Sequence, residues 1–232
     1  MTFSLEKVVP WGRSYSEYLR MFGLDSGIGG RSVIGCADGP ASFNAEATVN
    51  RERVVSVDPL YRFSKSQIDS RIRTTFVEVM SQTEANQREF VWKEFASPEE
   101  LGKARMSAMN LFLDDYDDGR KAGRYIDASL PELPISTGQF DLALCSHYLF
   151  LYSDHLDREF HIAAILEMLR VAREVRIFPL ANLGGKLSIH LAPVRDHLRI
   201  AGYEAKLQKV PYEFVRESNQ MLRITASGSV RE

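Results

Sequence analysis

Three stretches of this 232-residue sequence combine acids, hydroxyls or an imidazole with small residues in patterns that could do chemistry. The first is Gly35-Cys36-Ala37-Asp38-Gly39-Pro40-Ala41-Ser42-Phe43, where small side chains let the backbone approach a ligand closely. The second is Asp58, nineteen residues after Gly39 and near the spacing at which an acid after a second strand bonds a ribose diol. The third runs from Asp141 to Tyr148 and carries Ser146 and His147, with Asp127 upstream after Arg124-Tyr125-Ile126. A carboxylate at a buried strand end can accept from two hydroxyls in charge-assisted bonds. Imidazole titrates near neutral pH, so His147 could move a proton. Each residue also has a plainer reading: Asp58 and Asp127 as turn residues, His147 as a polar group packed over a sheet edge. The residue types favour a nucleoside site over a metal site. His155 and His161 miss the i, i+4 spacing of a helical metal pair, and the acids Asp114, Asp115, Asp117 and Asp118 lack the glycine and final Glu of a calcium loop. Those four acids read as a solvated helix end.

The elements that must position these groups alternate between strand and helix. Ser14 followed by Glu17 is a capping-box pattern, predicting a short helix over Ser14 to Phe22 that ends near Gly23. A loop with Gly27, Gly29 and Gly30 leads into a buried strand, Arg31 to Cys36. A helix around Ala45 to Thr48 and a second strand, Arg53 to Val57, follow. Pro59 lacks a backbone donor and stops that strand. From Ser64 to about Gly119 the composition is helical, with Ile68, Ile72, Phe76 and Val79 on one stripe. This is far longer than a normal connection and is read mainly as extra packing, with a substrate cover as the other use of such insertions. Phe140 to Cys145 is the clearest parallel-type strand. A helix with Phe160, Ala164, Met168 and Ala172 in step follows, then an apolar strand over Glu174 to Leu180. Pro193 suits the first turn of another helix ending before Gly202, and two strands, Lys206 to Val210 and Met221 to Ala226, close the chain. The expectation is one domain over residues 1–232, with an N-terminal helical segment over 1–30 and a helical insertion over 64–119 between strands two and three.

Composition narrows the partners. The chain is 44% hydrophobic and 26% charged with a formal net charge of -2, so it can bury a core and has no overall field to draw it onto nucleic acid or anionic lipid. No apolar run reaches membrane-spanning length, and Met1 to Pro10 mixes Glu6 and Lys7 with isolated apolar residues, unlike an export signal. Cys36 and Cys145 sit in apolar stretches, as reduced thiols of a cytoplasmic protein do. A cytoplasmic location without membrane or nucleic-acid partners is expected, and the sequence leaves the oligomeric state open.

Strands alternating with helices imply a parallel sheet, which binds ligands at the carboxyl ends of its strands. The dinucleotide pattern GxGxxG fails, because Gly35 as its first position puts Ala37 and Pro40 where glycines belong. The remaining set, a loop ending in Gly39-Pro40, Asp58, Asp127 and the Phe140-Asp141-Leu142 strand, resembles the class I S-adenosylmethionine-dependent methyltransferases from Arg31 to the end of the chain. The resemblance implies a Rossmann-like, mostly parallel seven-stranded sheet closed by an antiparallel hairpin after Gly202-Tyr203. It implies S-adenosylmethionine as cofactor, with the segment Gly35, Ala37, Asp38, Gly39 and Pro40 against its methionine part. Asp58 would meet the ribose, Asp127 and Ala128 the adenine, and Ser146 the sulfonium, with His147 as an optional catalytic base. It also implies methyl transfer by direct displacement, with a small molecule as acceptor. Relatives have an acid where Gly35 stands and glycines where Ala37 and Ala41 stand. A non-catalytic relative that kept the fold as a binding or scaffold protein is the alternative, and a nicotinamide-dependent oxidoreductase is disfavoured by the loop spacing.

Overall fold

The computed structural model describes Leu5, 8–24 and 27–228 of the chain. Most of the Met1 to Pro10 stretch considered above, including Glu6 and Lys7, lies outside the described residues. Seven strands, β1 (Ser32–Cys36), β2 (Arg53–Val57), β3 (Tyr125–Ile126), β4 (Phe140–Ser146), β5 (Ala172–Phe178), β6 (Tyr203–Lys209) and β7 (Gln220–Ala226), form one sheet in the order β3-β2-β1-β4-β5-β7-β6. The first five run parallel, and β7 lies antiparallel to both β5 and β6. This is the expected Rossmann-like, mostly parallel sheet closed by an antiparallel hairpin, with the order of strands reversing between β1 and β4, where such sheets open a ligand crevice. Buried on both faces, β1 reads as the continuous apolar run that a central parallel strand requires.

Helices α1 (Tyr15–Met21), α2 (Phe43–Val49), α3 (Lys65–Ala85), α4 (Pro98–Lys121), α5 (Arg158–Val171) and α6 (Leu191–Ile200) flank the sheet. The Ser14 and Glu17 capping box starts α1 as expected, and a second box at Ser64 and Gln67 starts α3. Within the insertion, α4 packs on α2 and β3 as the crossover between parallel strands, whereas α3 lies outside it against α4. The expected strand over Glu174 to Leu180 begins two residues earlier, because α5 passes into β5 without an intervening turn. Three of the acids at the end of α4 form ion pairs: Arg124 grips both oxygens of Asp115 at 2.6 and 2.7 Å, Lys121 meets Asp118 and Lys65 meets Asp114. Cys36 and Cys145 are register partners on β1 and β4 and are buried free thiols. No helix among the described residues is long and apolar enough to cross a membrane.

Candidate functional site

A cavity of about 590 Å³ opens at the carboxyl ends of β1, β2 and β4. Its floor is the loop Ala37 to Pro40, one side is Asp58, and the other is Ser146-His147. The roof comes from the segment before α1 (Val9, Trp11, Arg13), one face of α3 (Thr75, Val79) and Phe214 before β7. The insertion therefore packs through α4 and shapes the cavity through α3. A volume of this size holds a nucleoside-sized ligand with room beside it.

The floor depends on an exchange of positions that sequence reading missed. Tyr18 on α1 donates to Asp38 Oδ1 at 2.6 Å and Ser56 on β2 donates to Oδ2 at 2.6 Å, holding the carboxylate against β1. A Cβ built on Gly35 would fall 2.1 to 2.5 Å from that carboxylate. Asp38 thus puts its acid into the space beside Gly35. Gly35 is the seat of Asp38, buried in β1 and outside the cavity wall, which corrects the expectation that its backbone faces the ligand. A Gly35→Ala substitution should expel the carboxylate. The expected cost is about 1–3 kcal/mol of overpacking, seen as a melting temperature lower by roughly 2–4 °C per kcal/mol.

Beyond Asp38 the loop turns through left-handed backbone at Gly39, φ 55°, with open space where a Cβ would stand. Two alanines stand in and beside this loop. Ala37 takes a φ of 55° with its N–H bonded to Val57 O at 2.9 Å, and Ala41 turns its methyl into the core beside Tyr18 and Phe43. His147, the residue after β4, has a φ of 54°. Strained residues at the ends of two neighbouring strands, both facing one cavity, mark it as a site for which the fold accepts a local cost.

Asp58 follows β2. Its Oδ2 accepts from Gly39 N at 2.9 Å and its Oδ1 from Leu60 N at 2.7 Å, which ties the floor to the second strand and leaves each oxygen a lone pair for a ligand. Burial raises its pKa to about 6 against the lowering effect of the Leu60 and Gly39 N–H groups. Tyr61 also holds the floor, donating to Gly39 O at 2.7 Å.

Not every predicted residue comes together. Ala37, Asp38, Gly39, Pro40, Asp58, Ser146 and His147 line the cavity, whereas Asp127 and Ala128 do not. Strand β3 is a two-residue edge strand, and beyond it Asp127 turns outward to Arg62 at 3.3 Å, with both partners exposed. Asp141 stands at the opposite end of β4, where it accepts from the Ser32 N–H and hydroxyl and stitches two strand starts.

Arg13 was also missed. It lines the cavity, donates to Trp11 O at 3.0 Å, leaves its buried Nε without a hydrogen-bond partner and has no carboxylate within ion-pair distance among the described residues. Burial, then the nearby Arg105 guanidinium, lowers its pKa to about 10, still charged at neutral pH. A half-buried cation with no paired anion carries a desolvation cost that an anionic ligand would offset. Behind it, Glu17 binds Arg105 of α4 at 2.6 Å and accepts from Tyr212 at 2.9 Å, joining the N-terminal helix, the insertion and the C-terminal segment. The only sequence signal for this cluster was Glu17, already explained by its capping box.

No family model matches this chain. It is 31% identical over 222 residues to uncharacterized protein MJ0045 of Methanocaldococcus jannaschii, a match covering 95% of this chain and 97% of that protein. Among solved structures, magnesium protoporphyrin IX methyltransferase (ChlM) of Synechocystis PCC 6803, with bound S-adenosylhomocysteine, is 15% identical with a TM-score of 0.48, covering 92% of this chain and 81% of that one. A SAM-dependent methyltransferase of Aquifex aeolicus is 13% identical with a TM-score of 0.43, covering 90% and 92%.

Proposed function

The chain belongs to one family with the Methanocaldococcus jannaschii protein MJ0045, and from that premise and the geometry of its site we propose that it is an S-adenosylmethionine-dependent methyltransferase acting on a small-molecule acceptor. The observation that carries the reading is the convergence of the Asp38-Gly39-Pro40 floor, the Asp58 carboxylate and the Ser146-His147 wall on one cavity at the carboxyl ends of β1, β2 and β4. The residues suit the cofactor. Open space over Gly39 admits a backbone-hugging ligand, Asp58 keeps acceptor capacity for a ribose diol, and Arg13 supplies an unpaired cation for the methionine carboxylate. Asp127, outside the cavity wall, would approach the adenine only at the rim, beside Arg62.

When bound, the cofactor supplies a methyl group already activated by its sulfonium, so the protein's task is to align the acceptor and exclude water. The roof of Val9, Trp11, Val79 and Phe214 suits exclusion, and the cavity beyond the floor leaves room for an acceptor of modest size. The net charge of -2 favours such an acceptor over nucleic acid. The loop's kept left-handed turns and the inward-facing methyl of Ala41 weigh against an eroded, non-catalytic site.

The test compares S-adenosylhomocysteine with 5′-methylthioadenosine, which lacks the carboxylate. Calorimetry should give tight binding of the first and weaker binding of the second. Arg13→Met should cut the affinity for S-adenosylhomocysteine by roughly 10- to 100-fold, the worth of one charge-assisted contact, while barely changing that for methylthioadenosine. Failure of both compounds to bind the wild-type chain at millimolar concentration would sink the reading.

A further inference from the structure

With the Ala37 to Pro40 floor, Asp58 and Arg13 given to the methyl donor, the part of the cavity bounded by Phe178, Leu183, Phe214, Phe90, Val79 and Leu101 is left over. Its rings brace one another. Phe90 stacks on Phe214 with centroids 4.7 Å apart and planes 15° from parallel, and Phe178 stands edge-on to Tyr212 at 5.8 Å. Phenylalanines locked against other rings present flat faces and edges of fixed shape, where Met would adapt to many outlines. The polar groups of this compartment are neutral. Tyr212 commits its hydroxyl proton to Glu17 at 2.9 Å, Thr83 donates to Val79 O at 2.8 Å, and Thr75 and Ser218 carry no charge. The remaining acids and bases of the cavity wall are Asp38, held by Tyr18 and Ser56, and Arg62, Arg71 and Glu78, which are exposed.

One side chain has uncommitted donors. Asn182, in the loop after β5, accepts from Lys186 N–H at 3.0 Å while its own main-chain N–H donates to Lys186 O at 2.8 Å, in a tight hairpin closed by the bridge between Ala181 and Leu187. A main-chain N–H can donate only to the carboxamide oxygen, so the amide orientation is fixed. Both Nδ2 hydrogens are then without a partner among the described residues. Asn182 is half-buried and lines the cavity.

We propose that this compartment is the acceptor site, that the acceptor is a neutral, planar ring compound bearing an oxygen, and that Asn182 selects it by donating from Nδ2 to that oxygen. The proposal rests on the methyltransferase reading and narrows its acceptor. An amine cation would find no free carboxylate among these rings, and a carboxylate or phosphate would find Arg13 already engaged by the cofactor. A puckered, saturated compound of the same volume would pack poorly against fixed ring faces. A ring without an oxygen would leave the Nδ2 hydrogens desolvated and unpaired, which is how a site built to bond a substrate's polar atom rejects the analogue lacking it.

The test saturates the full chain with S-adenosylhomocysteine and then titrates it by calorimetry with coumarin, naphthalene and 2-naphthoate, planar two-ring compounds that carry a neutral carbonyl, no oxygen and a charge respectively. Coumarin should bind more tightly than the other two and should not displace S-adenosylhomocysteine. Asn182→Asp keeps the oxygen that accepts from Lys186 and removes the donors, so the hairpin persists and coumarin affinity should fall roughly 10-fold, with naphthalene affected less. Phe214→Ala should weaken both neutral compounds. Naphthoate binding more tightly than coumarin, an equal loss of coumarin and naphthalene in the folded Asn182→Asp chain, or displacement of S-adenosylhomocysteine by coumarin would overturn the proposal. A chain that does not bind S-adenosylhomocysteine in the first step sinks the cofactor reading and the acceptor site with it, whereas a loaded chain that ignores coumarin sinks the acceptor proposal alone.

Discussion

Asp58→Ala is expected to weaken S-adenosylhomocysteine binding about 100- to 10,000-fold at pH 7.5 while the chain stays folded. Two hydroxyl donors on one carboxylate are charge-assisted bonds worth about 1.5–3 kcal/mol each, and the same carboxylate ties Gly39 of the floor to β2. The variant therefore loses both the contact and the rigidity of the surface beside it. The freed N–H groups of Gly39 and Leu60 stand at the cavity edge, where water can reach them, so folding should suffer less than binding. A pH series adds a second reading. Burial raises the Asp58 pKa in the free protein to about 6, and donors on a bound ligand favour its ionised form. Affinity should be level above about pH 6 and fall below it as protonation removes the acceptor. The sign for folding is opposite: a carboxyl raised above its unfolded value contributes stability that is present below the unfolded pKa and is lost as pH rises toward 6. Ligand-induced stabilisation should accordingly be larger at pH 7.5 than at pH 5, and calorimetry with thermal melting at the two pH values measures both effects.

Glu17→Gln should be the most destabilising single change among the buried polar groups, costing about 3–5 kcal/mol, the usual penalty for removing one partner of a buried ion pair. Glu17 and Arg105 have side chains 3% and 1% exposed, and the half-buried Arg13 adds a second guanidinium nearby, so the variant would leave the buried Arg105 without its anion beside another cation. With total stabilities of about 5–15 kcal/mol, a loss of this size is a large fraction of the whole. Burial alone would raise the Glu17 pKa, but Arg105 overrides it and the result is about 2. Its contribution to stability is thus present above the unfolded carboxyl range and disappears as pH falls toward 2. Urea denaturation of the wild type and variant should differ strongly at pH 7 and converge in acid. Equal midpoints at pH 7 would mean that the network contributes nothing.

Most of the sheet was legible because its determinants are local. The apolar runs of β1, β2 and β4, the capping box at Ser14 and the stop at Gly202 each follow from a few adjacent residues. The floor was legible only in outline. Gly35 inside a strand signalled a close approach, but the group that approaches it is Asp38, three residues later, which becomes clear only when Tyr18 and Ser56 from two other elements are seen to hold the carboxylate. Asp127 was placed by its position after a strand, yet a two-residue edge strand leaves its side chain free to turn to Arg62. Arg13 had no sequence signal. Its place depends on Gly12, where a Cβ would meet the Pro40 carbonyl oxygen at 2.0 Å, so that glycine lets the N-terminal segment lie directly on the loop.

Asp58 and the Asp38-Gly39-Pro40 floor are the proposed cofactor site. A crystal structure of the chain saturated with S-adenosylhomocysteine tests it most directly. Ligand density is expected in the cavity, with both ribose hydroxyls on the Asp58 carboxylate and the carboxylate end toward Arg13. Density at another site, or none in the cavity at saturating concentration, would contradict it.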